Sequence, residues 1–174
     1  MQKLQLAAAP LSLEGIDGLA VPDLVVFVGS GERPLRGLAG LADWRLCGGL
    51  TRALKAEHFT GAPGESLLTV SGGQLPCQRI FLFGVGAPGD LQRAAPGAWA
   101  ADAFAAVARA GGTRVATAPP AGDGAPIAAV ARALVEAARA AALAELVLLH
   151  ADVRAADRAL AVAAEALPDV RLGA

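Results

Sequence analysis

The second half of this chain alternates Ala-rich stretches of helical length with short apolar runs, and no other feature constrains its fold as strongly. Residues 97–110, the stretch that opens at Pro126 and 152–167 each predict a helix, while Thr113–Thr117, Leu146–Leu149 and Asp169–Leu172 predict the strands beside them. Strands separated by single helices are the mark of βαβ units, whose parallel sheet needs helices on both faces. Pro126 opens the clearest helix, with Ile127, Val130, Leu134 and Ala138 on one face and Arg132, Glu136 and Arg139 on another. Asp152 is placed to cap the last one, whose apolar stripe runs Val153, Ala156, Leu160, Ala163, Leu167.

The first half is richer in strands. Residues 2–9 start with alternating polar and apolar positions, which suits a half-buried strand, whereas Asp23–Val28 is nearly continuous apolar sequence and suits one buried on both sides. Gly29-Ser30-Gly31 ends it. From Leu38 to Phe59 the apolar positions Leu41, Trp44, Leu50 and Leu54 fall at helical spacing, which makes Trp44 a core side chain; Gly48-Gly49 marks a break or a close approach. Glu65–Val70 and Arg79–Phe83 predict two strands joined by a turn at 71–76. The order β, β, α, β, β, α, β, α, β, α, with a possible last β, describes an α/β protein: a three-layer α/β/α sandwich with a mixed sheet. Its 174 residues fit one domain, 1–174, with no repeat or linker.

Charge and cysteine content exclude several function classes. The net charge is −1 and the pI about 6.1, and the 13 arginines are dispersed, so a broad nucleic-acid surface is not expected. The skew to 43 alanines, and to 13 Arg against Lys3 and Lys55, reads as base composition of the coding sequence and carries no function. Cys47 and Cys77 are too few and too far apart for a disulfide framework or a zinc knuckle. They are expected as reduced thiols in a cytoplasmic protein. The sequence up to Pro10 holds no apolar run of signal-peptide length, and the mean hydropathy of +0.49 reflects alanine, so no membrane segment is expected.

Candidate chemistry is sparse. His58 and His150 lie in no metal-ligand spacing, and no metal site is expected. His150 ends a strand two residues before Asp152, where it either faces a cleft at the carboxyl edge of the sheet or supports the helix cap. Ser12, Ser30, Ser66 and Ser71 have no candidate base nearby in sequence, and there is no nucleophile elbow or Walker loop. Cys47, with only Arg45 beside it, has little to activate it. Asp23, Asp43, Asp90, Asp102 and Asp123 are expected as capping or solvated carboxylates.

The most specific pattern is Gly84-Val85-Gly86-Ala87-Pro88-Gly89, a G-x-G-x-x-G that follows a strand. Such glycines let backbone N–H groups approach a phosphate at a helix N-terminus, which makes Gly84, Gly86 and Gly89 candidate ligand-binding residues, with His150 at the rim. Against this, the next strand ends Val115-Ala116-Thr117-Ala118-Pro119 with no acid for a ribose, Pro88 lacks an N–H, and Asp90 opposes an anion. The following helix is expected only after Pro96. On the phosphate reading, Gly86→Val blocks binding and leaves the fold intact.

Taken together, Asp23–Val28, Phe59-Thr60-Gly61-Ala62-Pro63-Gly64-Glu65 and Arg79-Ile80-Phe81-Leu82-Phe83-Gly84-Val85-Gly86 resemble the N-terminal domain of the leucyl (cytosol) aminopeptidase family, peptidase family M17. The resemblance covers roughly residues 20–170. It implies a macro-domain-like α/β/α sandwich, in agreement with the independent reading. In the family the two metal ions and the catalytic Lys and Arg belong to a separate C-terminal domain, with signatures such as N-T-D-A-E-G-R-L. No stretch here matches these, and no catalytic residue carries over. The resemblance implies a stand-alone, non-catalytic domain without a cofactor, and the high apolar fraction, 55% against 18% charged, points to action through self-association or a protein partner such as a full-length peptidase of the family. The alternative is a small-molecule module that binds a nucleotide or ADP-ribose-type ligand in a macro-like cleft.

Overall fold

The computed structural model describes residues 3–165 and 167–173. Seven strands form one sheet: β1 (Leu4–Pro10), β2 (Asp23–Gly29), β3 (Ser66–Val70), β4 (Arg79–Gly86), β5 (Arg114–Thr117), β6 (Glu145–His150) and β7 (Val170–Leu172), in the order β3-β4-β2-β5-β6-β1-β7. Every pairing is parallel except the β3–β4 hairpin, so the sheet is mixed, as the sequence predicts.

Alternation along the strands supplies two cores. Val25, Phe27 and Phe81 face the layer of α5 (Trp99–Arg109), α6 (Ile127–Ala140) and α7 (Val153–Glu165). Their neighbours Leu24, Val26, Ile80 and Leu82 face the layer of α1 (Leu13–Asp17), α2 (Gly37–Arg45) and α3 (Gly49–Lys55). Successive side chains on a strand point to opposite faces, so a strand covered on both sides must be apolar throughout. This explains the unbroken run in β2.

The glycine pair does break the helix expected over 38–59. Cys47 and Gly48 both take left-handed backbone conformations, with φ of 51° and 80°, and Asp43 caps the new start by accepting from the N–H groups of Leu50 (2.8 Å) and Thr51 (3.0 Å). Trp44 is not core: it is 72% exposed, and the stripe that buries α2 runs through Leu38, Ala39 and Ala42 instead. Two short helices were not legible in the pattern, α1 and α4 (Pro88–Arg93), each too brief to show a helical period. Helix α4 corrects the expectation that no helix starts before Pro96. Asp152 caps α7 as expected, accepting from Ala155 N–H at 2.9 Å. The first strand starts at Leu4, and the expected inclusion of Gln2 and Ala166 in their elements lies outside the described residues.

Nor is Asp23 a solvated carboxylate. It is fully buried at the start of β2, and both of its oxygens accept from Arg79, from Nε at 2.6 Å and Nη2 at 2.7 Å. The same guanidinium donates to the carbonyl of Ala110 at 2.8 Å and lies 5.3 Å from the ring centre of Phe81. Hydrogen bonding to Asp23 raises the Arg79 pKa further. A buried charge persists only with such a partner, and the pair ties the starts of β2 and β4 together.

Candidate functional site

Strands β2 and β4 end side by side at the carboxyl edge, where open α/β sheets most often bind ligands. Their register slips once, from Val28 opposite Gly84 to Gly29 opposite Gly86, which leaves Val85 as an extra residue in β4. Gly84 and Gly86 are therefore the end of a strand, not a free loop. Gly86 has φ of 78°, which favours glycine.

The segment Phe59–Glu65 straps across these strand ends. Phe59 is buried, and the carbonyl of Gly61 accepts from Gly86 N–H and from Ser30 Oγ, both at 3.0 Å. Gly84 N–H donates to the carbonyl of Glu65 at 3.0 Å. Side chains have no room here: a Cβ on Gly84 would lie 1.9 Å from the Ala62 carbonyl oxygen, and one on Gly61 would lie 2.6 Å from that of Gly29. Glu65 Oε2 turns back to accept from Thr60 N–H (2.7 Å), Thr60 Oγ1 (2.8 Å) and Ala62 N–H (3.2 Å). These bonds, that from Thr60 N–H foremost, hold its carboxyl below the usual glutamate pKa. The Phe-Thr-Gly-Ala-Pro-Gly-Glu and Gly-Val-Gly segments are thus two halves of one packing contact.

Beside the strap opens a cavity of about 480 Å³, lined by the segment from Gly29 to Pro34 with Arg36, Val85, Gly86, Pro88 and Gly122. Several amides at this edge are already engaged. Glu32 Oε2 accepts from Gly29 N–H at 3.0 Å and its Oε1 from Arg36 N–H at 2.9 Å, while Ser30 N–H donates to the Gly86 carbonyl at 2.8 Å. Asp90 Oδ2 accepts from Ala87 N–H at 3.1 Å and its Oδ1 from Arg93 at 2.8 Å. Gly86 N–H is held by Gly61, so the donors a phosphate would use at Gly29, Gly86 and Ala87 serve the chain itself. A Cβ on Gly86 would also lie 2.9 Å from Pro63 Cγ and 3.0 Å from Asp90 Oδ2. Gly86→Val therefore strains the fold and is no clean probe of binding.

The other candidates stand apart. Gly89 sits in the first turn of α4, against the guanidinium of Arg93. His150 ends β6, two strands from β2, and does not line the cavity; its Nδ1 lies 2.9 Å from the Asp152 carbonyl oxygen and 3.1 Å from the Asp152 amide nitrogen, beside the α7 cap. Sequence reasoning missed Glu32 and the engaged role of Asp90, although a signal was present: each acid lies three residues after the amide it satisfies, the spacing of a helix-cap contact. Among the described residues no group of three or more His, Cys, Asp or Glu is placed to hold a metal ion, and no helix is long and apolar enough to cross a membrane.

Comparison with known proteins follows the same lines. No curated protein sequence matches the chain. Among solved structures, a point mutant of tomato leucine aminopeptidase superposes with a TM-score of 0.59 at 20% identity, covering 93% of this chain but only 36% of the tomato chain. The macrodomain of Thermus aquaticus DarG gives a TM-score of 0.61 at 17% identity, covering 84% of this chain and 99% of its own. That of Mycobacterium tuberculosis DarG gives 0.60 at 16%, over 84% and 98%. At these identities the likeness concerns the fold, which is macro-domain-like. The family model "Cytosol aminopeptidase family, N-terminal domain" matches residues 24–144, and the chain therefore belongs to that family, in which it corresponds to the N-terminal domain.

Proposed function

We propose that this domain is non-catalytic and acts through protein association in the cytoplasm, with another copy of itself or with a protein partner such as a full-length aminopeptidase. The observation that carries the reading is its surface: Leu68 and Val70, two residues apart on one face of β3, are 51% and 69% exposed, and Trp44 on α2 is 72% exposed. Large apolar side chains left in water in groups mark contact surfaces. The family's division of labour supports the absence of peptidase activity, since its metal ions and catalytic Lys and Arg belong to the C-terminal domain, and the matched model is the N-terminal one. Sedimentation equilibrium from micromolar to millimolar protein tests the association: a mass that rises with concentration is expected. A strict monomer that also fails to bind a full-length aminopeptidase contradicts it. Metal-dependent hydrolysis of leucyl amides that survives repurification and is abolished by chelator would contradict the non-catalytic part.

A second reading is a nucleotide or ADP-ribose-type ligand in the carboxyl-edge cavity, near Gly84, Gly86 and Gly89. Its support is the cavity itself, with Arg33 and Arg36 in its wall, and the fold shared with the DarG macrodomains. The engaged amides and the carboxylates of Glu32 and Asp90 weigh against it, because an anion would have to displace both. The association reading is therefore preferred.

A further inference from the structure

The two edges of the sheet are not equivalent. β7 is a three-residue strand carrying an exposed Arg171, a short and charged edge of the kind that resists pairing. β3, Ser66-Leu67-Leu68-Thr69-Val70, has five residues with no charge and no proline, and its outer side faces no other strand.

The register of the hairpin fixes which backbone groups are free. Ser66 lies opposite Phe83 and Val70 opposite Arg79, and the ladder is bounded by bonds from Gly84 N–H to the Glu65 carbonyl and from Ser71 N–H to the Gln78 carbonyl, each 3.0 Å. Hydrogen-bonded pairs alternate along an antiparallel ladder. Glu65, Leu67, Thr69 and Ser71 therefore face β4, and the N–H and C=O groups of Ser66, Leu68 and Val70 point to the open side. Those three residues are also the exposed ones, with Leu68 at 51% and Val70 at 69%.

We propose that β3 pairs antiparallel with β3 of a second copy of this chain, about a twofold axis at Leu68, to make one continuous sheet across the dimer. This rests on the association reading and names its surface. In that register Leu68 meets Leu68 and Ser66 meets Val70, so all three outward residues form hydrogen-bonded pairs, about six bonds in all. The strand is self-complementary in charge because it has none, and in this register Glu65 falls opposite Ser71 of the second copy, so no like charges meet directly across the seam. Pairing also sets a second leucine beside Leu68 on the side away from Phe81, its cross-strand neighbour within the fold. An edge of five residues lies below the size of a standard stable interface, so the dimer is weak and concentration-dependent.

Sedimentation equilibrium and amide hydrogen exchange on the intact chain test this together. As protein rises from micromolar to millimolar, the mass should approach that of a dimer, and exchange should slow at Ser66, Leu68 and Val70 but not at Leu67 and Thr69. Leu68→Pro removes an outward N–H that β4 does not use, and Leu68→Lys sets two ammonium groups against each other across the axis. Both variants should stay monomeric where the parent dimerises, with unchanged circular dichroism; should the proline variant fail to fold, the lysine variant and the exchange pattern decide. A dimer that forms equally well with Leu68→Lys, or without protection at the three outward amides, overturns the β3 seam and leaves association by another surface. A parent chain that is monomeric throughout overturns the self-pairing, and the aminopeptidase-binding measurement then decides the association reading separately.

Discussion

Replacing Arg79 with methionine should cost this domain about 3–4 kcal/mol, because it strands a buried carboxylate. Asp23 is 0% exposed and receives two charge-assisted hydrogen bonds from Arg79, at 2.6 and 2.7 Å. Removing one partner of a buried ion pair typically costs about 3–5 kcal/mol. The Arg79 side chain is itself 29% exposed, so water reaches the vacated position and the lower part of that range applies. Losing the bond to Ala110 adds about 1 kcal/mol, and losing the cation over Phe81 about 0.5 kcal/mol. Methionine keeps much of the packed stem and offsets part of this. Urea unfolding followed by circular dichroism should show a lower midpoint with an unchanged slope, and the melting temperature should fall by roughly 10 °C. The second arm is the double variant Asp23→Ala/Arg79→Met, which removes the stranded charge. It should be more stable than Arg79→Met alone by about 1–2 kcal/mol. If Arg79→Met costs less than about 1 kcal/mol, or if the second substitution lowers stability further, the buried pair is not what joins the starts of β2 and β4.

Other measurements address the strap and the thiols. Gly84→Ala should cost about 2–3 kcal/mol in urea unfolding, since its Cβ meets the Ala62 carbonyl at 1.9 Å, whereas Gly64→Ala, with nothing within 4 Å and only its φ of 83° to resist, should cost about 1 kcal/mol; equal costs would refute the close-packing account. Because the folded-state pKa of Glu65 is depressed, its stabilising contribution is complete at neutral pH and fades as pH falls from the ordinary glutamate range through the lower folded value. Glu65→Gln should therefore flatten the acid limb of the stability profile, and an unchanged limb would show that the Thr60 contacts do not hold the charge. Exposed Cys47 should react with a thiol reagent in the native state, while buried Cys77, its pKa pushed up to about 11 by burial, should react only on unfolding. Equal rates at the two thiols would contradict the core placement of Cys77.

What the sequence made legible follows from how local each signal is. The apolar run of β2, the stripe of α6 and the Asp152 cap depend on residues a few positions apart, and all three appear where the pattern puts them. The Asp23–Arg79 pair joins residues 56 positions apart, and nothing in either neighbourhood announces it. Trp44 has helical spacing, yet spacing fixes only which residues share a face, not which face the second layer covers. The glycine pattern is the most instructive case. Gly84-Val85-Gly86-Ala87-Pro88-Gly89 has the spacing of a phosphate loop, but Gly84 is required by an approach to Ala62, and Gly86 by a positive φ and a contact with Pro63. Spacing alone cannot distinguish a backbone that receives a ligand from one that receives another part of the same chain.

The central claim is that the carboxyl-edge amides of Gly29, Gly86 and Ala87 serve the chain itself. A titration of isotopically labelled protein with ADP-ribose to millimolar concentration, read at the backbone amide resonances of Gly29, Gly86 and Ala87, tests it most directly. With Glu32, Gly61 and Asp90 holding those N–H groups, the three resonances should not move. Saturable shifts centred on them would contradict the account and make this edge a ligand site.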